Sequence, residues 1–225
     1  MRHLIKLIIN RLSQLIALPF VMTCWLESLL SKQVEVIFVF WTNIFALLPG
    51  LPGVFLRRGF YSLTLQQCSL DSHIGFGTLF SHRNSVIEDN VYIGNYCSIG
   101  SAHIGENSLI GSRSSLLSGS NQHIHNDETG TWGAFSTDNI KQIRIGKNVW
   151  LGESAIVMAN IGEGCQIAAG TVISSDTKGY VMLAGNPARF IKSLPLPVTL
   201  QVQASPIEDP SLLETMSKFP NEKQS

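Results

Sequence analysis

Two histidines separated by one residue, His123 and His125, sit in LSGSNQHIHNDETGTWGAFSTDNIKQIR (117–144) beside Asp127, Glu128, Trp132 and Phe135. Histidine is the side chain whose ordinary pKa lies nearest neutrality, so either imidazole can take a proton from a hydroxyl nucleophile and give it back. The blander reading is that both merely hydrogen-bond within a surface loop, the usual fate of a histidine. Trp132 is expected to anchor that loop rather than to stack on a substrate. Four cysteines, Cys24, Cys68, Cys97 and Cys165, lie far apart with no CxxC pair. That spacing argues against a zinc knuckle or a dense disulfide framework and for a reducing, cytosolic setting.

Something rigid must position these groups, and a six-residue period supplies it. The leading aliphatics Ile87, Ile93, Ile99, Ile104, Ile110 and Leu116 recur before the histidine stretch. Ile145, Leu151, Val157, Ile161, Ile167 and Ile173 recur after it. A glycine commonly follows the leader and is expected to allow a sharp corner. Four places after the leader sits a small or β-branched residue, as at Val91, Cys97, Ser108, Ser114, Val149, Ala155, Cys165 and Thr171. Each hexad then makes one flat side of a triangular coil, and both ladders point inward. Cys97 and Cys165 are therefore expected to be inert packing, and His103 takes the same slot in a shortened hexad. The stretch 118–142 breaks the period, and a long excursion from a rigid scaffold commonly carries function. The chain divides into an apolar helical region (1–62), the repeat region (63–192) and a polar, proline-bearing tail (193–225) with at most a short helix near 209–218.

The 225 residues are 44% hydrophobic and 14% charged, which excludes a disordered polyampholyte. Sixteen basic residues balance sixteen acidic ones, so nothing marks a nucleic-acid footprint. In the first region Ile5, Ile8, Ile9, Leu12, Leu15 and Ile16 fall at helical spacing, which predicts an amphipathic helix. A second apolar stretch, Val36 to Leu48, ends at PGLPG (49–53), which no continuous helix tolerates. Three readings stay open: helices packed on the repeats, an interfacial or re-entrant membrane element, or a true span. Up to residue 60, Arg2, Lys6, Arg11, Lys32, Arg57 and Arg58 outnumber Glu27 and Glu35, a surplus that suits an anionic leaflet. Arg11 interrupts the apolar run and no A-x-A site follows, which disfavours a cleaved signal peptide.

The hexads, with NVWLG (148–152) and AGNPARFIK (184–192), resemble the left-handed β-helix acyltransferases, in particular the maltose, galactoside, nodulation-factor and streptogramin acetyltransferases. LLPGLPGVFLRRGFY (47–61) is more loosely similar to acyltransferases of surface-polysaccharide synthesis. The resemblance implies an all-β solenoid, a left-handed parallel β-helix with an α-helical apolar N-terminal region, assembled as a homotrimer with active sites between adjacent prisms. It implies acetyl-coenzyme A as acyl donor, no metal, and His123 as general base, with His125 second. For coenzyme A it points to Trp150, Ala169, Ser174, Ser175 and Arg189. Glu153 and the VISSD string (172–176) depart from the pattern, so a basic contact is missing that Lys178 could replace. The implied function is direct acetyl transfer to a saccharide, or a glycan precursor at the cytoplasmic membrane face. A non-catalytic β-helical binding or scaffold protein is the rival. A third reading, a trimeric carbonic-anhydrase-like metalloenzyme, would draw on His103, His123 and His125.

Overall fold

In the computed structural model, which describes residues 2–31, 33–119, 125–127, 129–133 and 140–197, the hexads wind into a parallel β-solenoid with three faces. One face stacks β1 (Gln67–Cys68), β4 (Val86–Ile87), β7 (Ala102–Ile104) and β12 (Ile143–Ile145). The second stacks β2 (His73–Ile74), β5 (Tyr92–Ile93), β8 (Leu109–Ile110), β13 (Trp150–Leu151) and β15 (Gln166–Ile167). The hairpin of β17 (Val181–Ala184) and β18 (Arg189–Ser193) closes that face. The third stacks β3 (Leu79–Phe80), β6 (Ser98–Ile99), β9 (Ser115–Leu116), β14 (Ile156–Val157) and β16 (Val172–Ile173).

Every predicted leader is buried and in register with the leaders of adjacent coils, as in the column Ile74, Ile93, Ile110, Leu151 and Ile167. The small-residue slots are buried as well, from Val91 and Cys97 to Cys165 and Thr171. Cys97 Sγ meets the Gly111 carbonyl at 3.3 Å and Cys165 Sγ the Lys178 carbonyl at 3.0 Å. These thiols pack, as expected, and burial pushes the Cys97 pKa up, away from nucleophilic use. An extra coil precedes the legible hexads, with Cys68, Ile74 and Phe80 in leader positions. A cysteine and a phenylalanine there hid the period.

Two expectations are corrected. The glycine after the leader does not make the corner by left-handed conformation; it lets the neighbouring coil approach. A Cβ on Gly94 would lie 2.6 Å from the Ser112 nitrogen, and one on Gly111 2.6 Å from the Glu153 nitrogen. The left-handed turn comes two residues later, on Asn90 (φ 57°), Asn107 (φ 59°) and Asn148 (φ 54°) among others, and asparagine tolerates that region best after glycine. His103 does not take the inward slot either. The shortened hexad turns Ala102 inward, and His103 faces out, its Nε2 2.7 Å from Glu88 Oε1.

Three helices precede the solenoid: α1 (Arg2–Leu30), α2 (Val36–Ala46) and α3 (Gly50–Thr64). PGLPG does not simply break a helix. Pro52 sits in the first turn of α3, where a missing N–H costs no intrahelical bond. Phe38, Phe45, Phe60 and Tyr61 form one buried aromatic cluster that continues onto Phe80 of the first coil. The helices therefore cover the end of the solenoid, where inward aliphatics of the first coil would otherwise meet water.

Arg57 and Arg58, counted above toward a surface basic surplus, are buried instead. Arg57 Nη1 donates to the Leu48 carbonyl at 2.6 Å and reaches those of Phe45 and Ala46 at 3.4 Å, while Nε donates to the Ile74 carbonyl at 3.0 Å. One guanidinium thus caps the C-terminal end of α2 and ties it to the first coil. Arg58 donates to the Ser72 carbonyl at 3.1 Å and to Asn10 Oδ1. At the other end of α2, Glu27 of α1 accepts from the backbone N–H of Ile37 (2.7 Å) and Phe38 (3.2 Å).

Glu35 clamps the α1–α2 connection to the solenoid, accepting from the Arg83 backbone N–H at 2.8 Å and His82 Nδ1 at 2.7 Å. Burial raises its pKa, but the His82 and Arg83 contacts outweigh that and hold it below the ordinary carboxylate value of 4.5. The clamp therefore contributes stability above pH about 4.5 and loses it as the pH falls through the lowered value. Between about pH 6 and pH 3, the melting temperature is expected to fall further for the wild type than for Glu35→Gln, the two converging in acid. Parallel curves would remove Glu35 from the acid response.

Candidate functional site

The repeat-breaking excursion leaves the solenoid after β9 and returns at β12. Its neck is closed by Lys141, whose N–H donates to the Ser118 carbonyl at 3.1 Å, with Gly119 beside it at φ 87°. The Gln142 amide donates to the Asn84 carbonyl at 2.5 Å, and Ser118 Oγ accepts from the Ser101 N–H at 2.7 Å. Both ends of the excursion are therefore rooted on coils that cannot shift without breaking ladder bonds.

Within the excursion, β10 (His125–Asn126) and β11 (Thr131–Trp132) pair antiparallel around Gly130. Gly130 takes φ 67° and donates its N–H to the Asn126 carbonyl at 2.8 Å. The pairing sets His125 opposite Trp132, with their rings edge to face at 5.1 Å. His125 Nδ1 faces the Asp127 carboxylate at 2.9 Å, an acceptor to which it donates, so that the acceptor role of the imidazole falls to Nε2 whenever the ring carries one proton. Asp127 lies in the turn just after β10, and the H-x-D spacing is the signal in the sequence for its contact with His125. His123, the first candidate for the base, lies outside the described residues, as do Glu128 and Phe135. Trp132 is 71% exposed, and its ring packs on His125 of the same excursion.

A cavity of about 520 Å³ lies where the last coil meets the β17–β18 hairpin. Ser174, Ser175 and Lys178 line one side, and Arg189 and Phe190 the other. A smaller cavity of about 160 Å³ reaches from Gly119 and Lys141 at the neck to Asn160 and the same Ser174–Ser175 segment. Those two serines thus stand on the walls of both spaces, one ending at Lys178 and Arg189, the other at the root of the histidine-bearing excursion. Asp176, which also lines both, is occupied by the Asn160 N–H (2.9 Å) and Nδ2 (3.0 Å).

Of the residues singled out for coenzyme A, the structure brings Ser174, Ser175 and Arg189 together, with Lys178 beside them. Trp150 and Ala169 line neither cavity. Trp150 lies on the outward side of β13, in register with Leu109 and Gln166, and Ala169 is exposed at the corner between β15 and β16. Lys141 and Asn160 carried no sequence signal, since both sit where the hexad period is interrupted. Among the described residues, no three His, Cys, Asp or Glu side chains gather as a metal site.

Comparison with known proteins places these features in context. Residues 84–118 match the family model "Bacterial transferase hexapeptide (six repeats)", and 142–175 match "Hexapeptide repeat of succinyl-transferase". The two matches flank the excursion. The chain is 27% identical over 119 residues to a chloramphenicol acetyltransferase of Agrobacterium fabrum, covering 46% of this chain and 52% of that protein. It is 30% identical over 124 residues to the putative lipopolysaccharide biosynthesis O-acetyl transferase WbbJ of Escherichia coli K12, covering 52% and 62%. It thus spans only part of the length of these relatives. Its fold is similar to that of a galactoside acetyltransferase solved in complex with coenzyme A, with a TM-score of 0.56, 22% identity, and 75% and 84% of the two chains covered.

Proposed function

The chain belongs to the hexapeptide-repeat acetyltransferase family, and from that premise we propose that it transfers an acetyl group from acetyl-coenzyme A to a hydroxyl of a saccharide. The observation that carries the proposal is the line of two cavities sharing Ser174 and Ser175. Lys178 and Arg189 at one end offer cations to the nucleotide phosphates, Arg189 bidentately, and the serine hydroxyls offer further donors. From there a pantetheine arm can run past the serines to the neck of the excursion, which brings the thioester toward the histidines.

The acceptor hydroxyl attacks the thioester carbonyl while a histidine removes its proton. The tetrahedral intermediate then collapses, and coenzyme A leaves as the thiol with that proton. Holding donor and acceptor beside one base supplies much of the acceleration, and no covalent acyl-enzyme is needed. The buried cysteines fit that reading: burial pushes the Cys68 thiol up to about 12 and Cys24 to about 11. The proposed base is His123, on the SNQH string. A second reading puts it on His125, favoured by the Asp127 contact that fixes its tautomer.

A saccharide acceptor is supported by the similarity to the lipopolysaccharide O-acetyl transferase, with the chloramphenicol enzyme a reminder that relatives differ in acceptor. A homotrimer is supported by the outward column of Tyr92, Leu109 and Trp150, apolar, exposed and in register along one face. Such a column suits burial against another prism, and Trp150 would then reach a site completed by the neighbour.

The test is calorimetric titration with coenzyme A, together with thiol release from acetyl-coenzyme A over a panel of saccharides. Arg189→Ala is expected to weaken coenzyme A binding about tenfold or more, with a partial return in Arg189→Lys and little change in turnover at saturation. A protein that binds no coenzyme A at millimolar concentration is a scaffold, and the proposal then fails.

A further inference from the structure

The helices that cover the solenoid are built inside out. The buried stripe of α1 is Asn10, Ser13, Ala17, Val21, Cys24 and Glu27, largely small or polar. Its exposed side carries Leu12, Leu15, Ile16, Met22, Leu26 and Leu29, the last 83% exposed. The apolar face expected to pack on the repeats therefore points away from them. At the crossing with α3 a Cβ on Gly59 would lie 2.8 Å from the Ser13 carbonyl carbon, so backbones rather than large side chains meet there. The same outward surface continues over Val36, Phe40, Ile44 and Leu47 at α2 and Leu51 of α3, all exposed.

Two properties of this surface point to lipid rather than to a protein partner. From Leu12 to Leu56 outside the α1–α2 connection, the only charged residue is Glu27, and it is turned inward onto the start of α2. The polar groups on or beside the surface are satisfied within the chain. Trp25 Nε1 donates to the Leu63 carbonyl at 3.0 Å, and Trp41 Nε1 to Thr23 Oγ1 at 2.8 Å. Thr23, Ser28 and Asn43 donate to the carbonyls of Phe20, Trp25 and Val39. A surface that asks nothing of its partner in hydrogen bonds is matched by hydrocarbon.

α1 is long enough to cross a bilayer, over Leu4–Leu30, but both of its ends are tied to the same end of the solenoid. Near its start Lys6 pairs with Asp71 at 2.5 Å and Asn10 Nδ2 donates to the Leu70 carbonyl at 3.4 Å. Toward its end the Cys24 carbonyl accepts from Arg83 Nη1 at 3.0 Å. A helix held at both ends against the first coil lies across it.

We propose that the outward face of α1 and α2 seats in one leaflet of a lipid bilayer, with α1 in the membrane plane and the coils stacking away from it. Because Arg57 and Arg58 are buried and Lys6 is paired, Arg11 is the cation left on the outward face of α1 among the described residues, and the attachment is mainly apolar. Salt should weaken it little, in contrast to the expectation from the basic count alone.

The test is flotation of the full chain, after detergent removal, with vesicles of pure phosphatidylcholine and of phosphatidylcholine with phosphatidylglycerol. The protein is expected to float with both, at low and at molar salt. The triple variant Leu12→Glu, Leu26→Glu, Phe40→Glu is expected to lose at least tenfold in recovery, with unchanged circular dichroism and sedimentation. Wild-type protein that stays in the soluble fraction overturns the proposal. So does a triple variant that still floats, or one that changes mass instead, which would make the face a contact between copies. Orientation is read with a membrane-impermeant maleimide on vesicle-bound Lys6→Cys, on the solenoid side of α1, and Gln33→Cys, both at exposed positions, the native cysteines being buried. Labelling of both from outside is expected. Protection of one means the helix crosses, and the in-plane arrangement fails.

Discussion

His123→Ala is expected to lower acetyl transfer by at least about a hundredfold while coenzyme A affinity stays within about twofold. An alcohol attacks a thioester poorly until its proton is being removed, and a positioned histidine commonly supplies about 10²- to 10⁴-fold of that help. A steady-state split of kcat from KM with a direct binding measurement checks both halves. His125→Ala is expected to cost less than about tenfold, through loosened packing against Trp132. The reverse pattern, with His125→Ala inactive and His123→Ala active, would move the base by two residues. Asp127→Asn would then lower turnover too, because it would release the tautomer that the 2.9 Å contact selects.

Arg57→Ala is expected to destabilise the protein by about 3 kcal/mol or more. The side chain is fully buried, and its removal leaves the carbonyls of Leu48 and Ile74 without their donor. An orphaned buried polar group costs about 1–3 kcal/mol, and the vacated volume adds to it. Arg57→Met should lose less, since it fills the space and removes a charge whose desolvation lowers the arginine pKa. Arg144→Ala, at an exposed position, should change stability by less than about 0.5 kcal/mol. Denaturant unfolding in mild detergent, followed by far-ultraviolet circular dichroism, gives all three. An Arg57→Ala loss below about 1 kcal/mol would show that α2 and the first coil hold together without this bond set.

The period of six was legible because a solenoid repeats one local environment. Each leader meets the leader above and below it, so Ile93, Ile110 and Leu151 report the same interior, and one chain suffices to see the rule. The flanking matches at 84–118 and 142–175 bracket the interruption for the same reason. Where a coil departs from the rule, sequence spacing misled. His103 was counted into an inward slot because one residue is missing from its hexad, and the backbone resolved the deficit by turning Ala102 inward.

The apolar content of α1 and the charges of Arg57 and Arg58 were plain in the sequence, but their directions were not. Hydrophobic spacing tells which residues share a face of a helix; it does not tell whether that face meets protein or something else. That choice is made by the partner surface. Here Gly59, Asn10 and Arg58 draw the polar and small stripe of α1 onto α3, and the leucines are left outside. The candidate site divides the same way. Composition, hexads and the H-x-H string determined a repeat scaffold with a histidine-bearing interruption, because those properties are local. Ser174, Ser175, Lys178 and Arg189 were already grouped by the resemblance, but their meeting with Lys141 and Gly119 at the neck was decided only by stacking, which places residues far apart in the chain on adjacent coils.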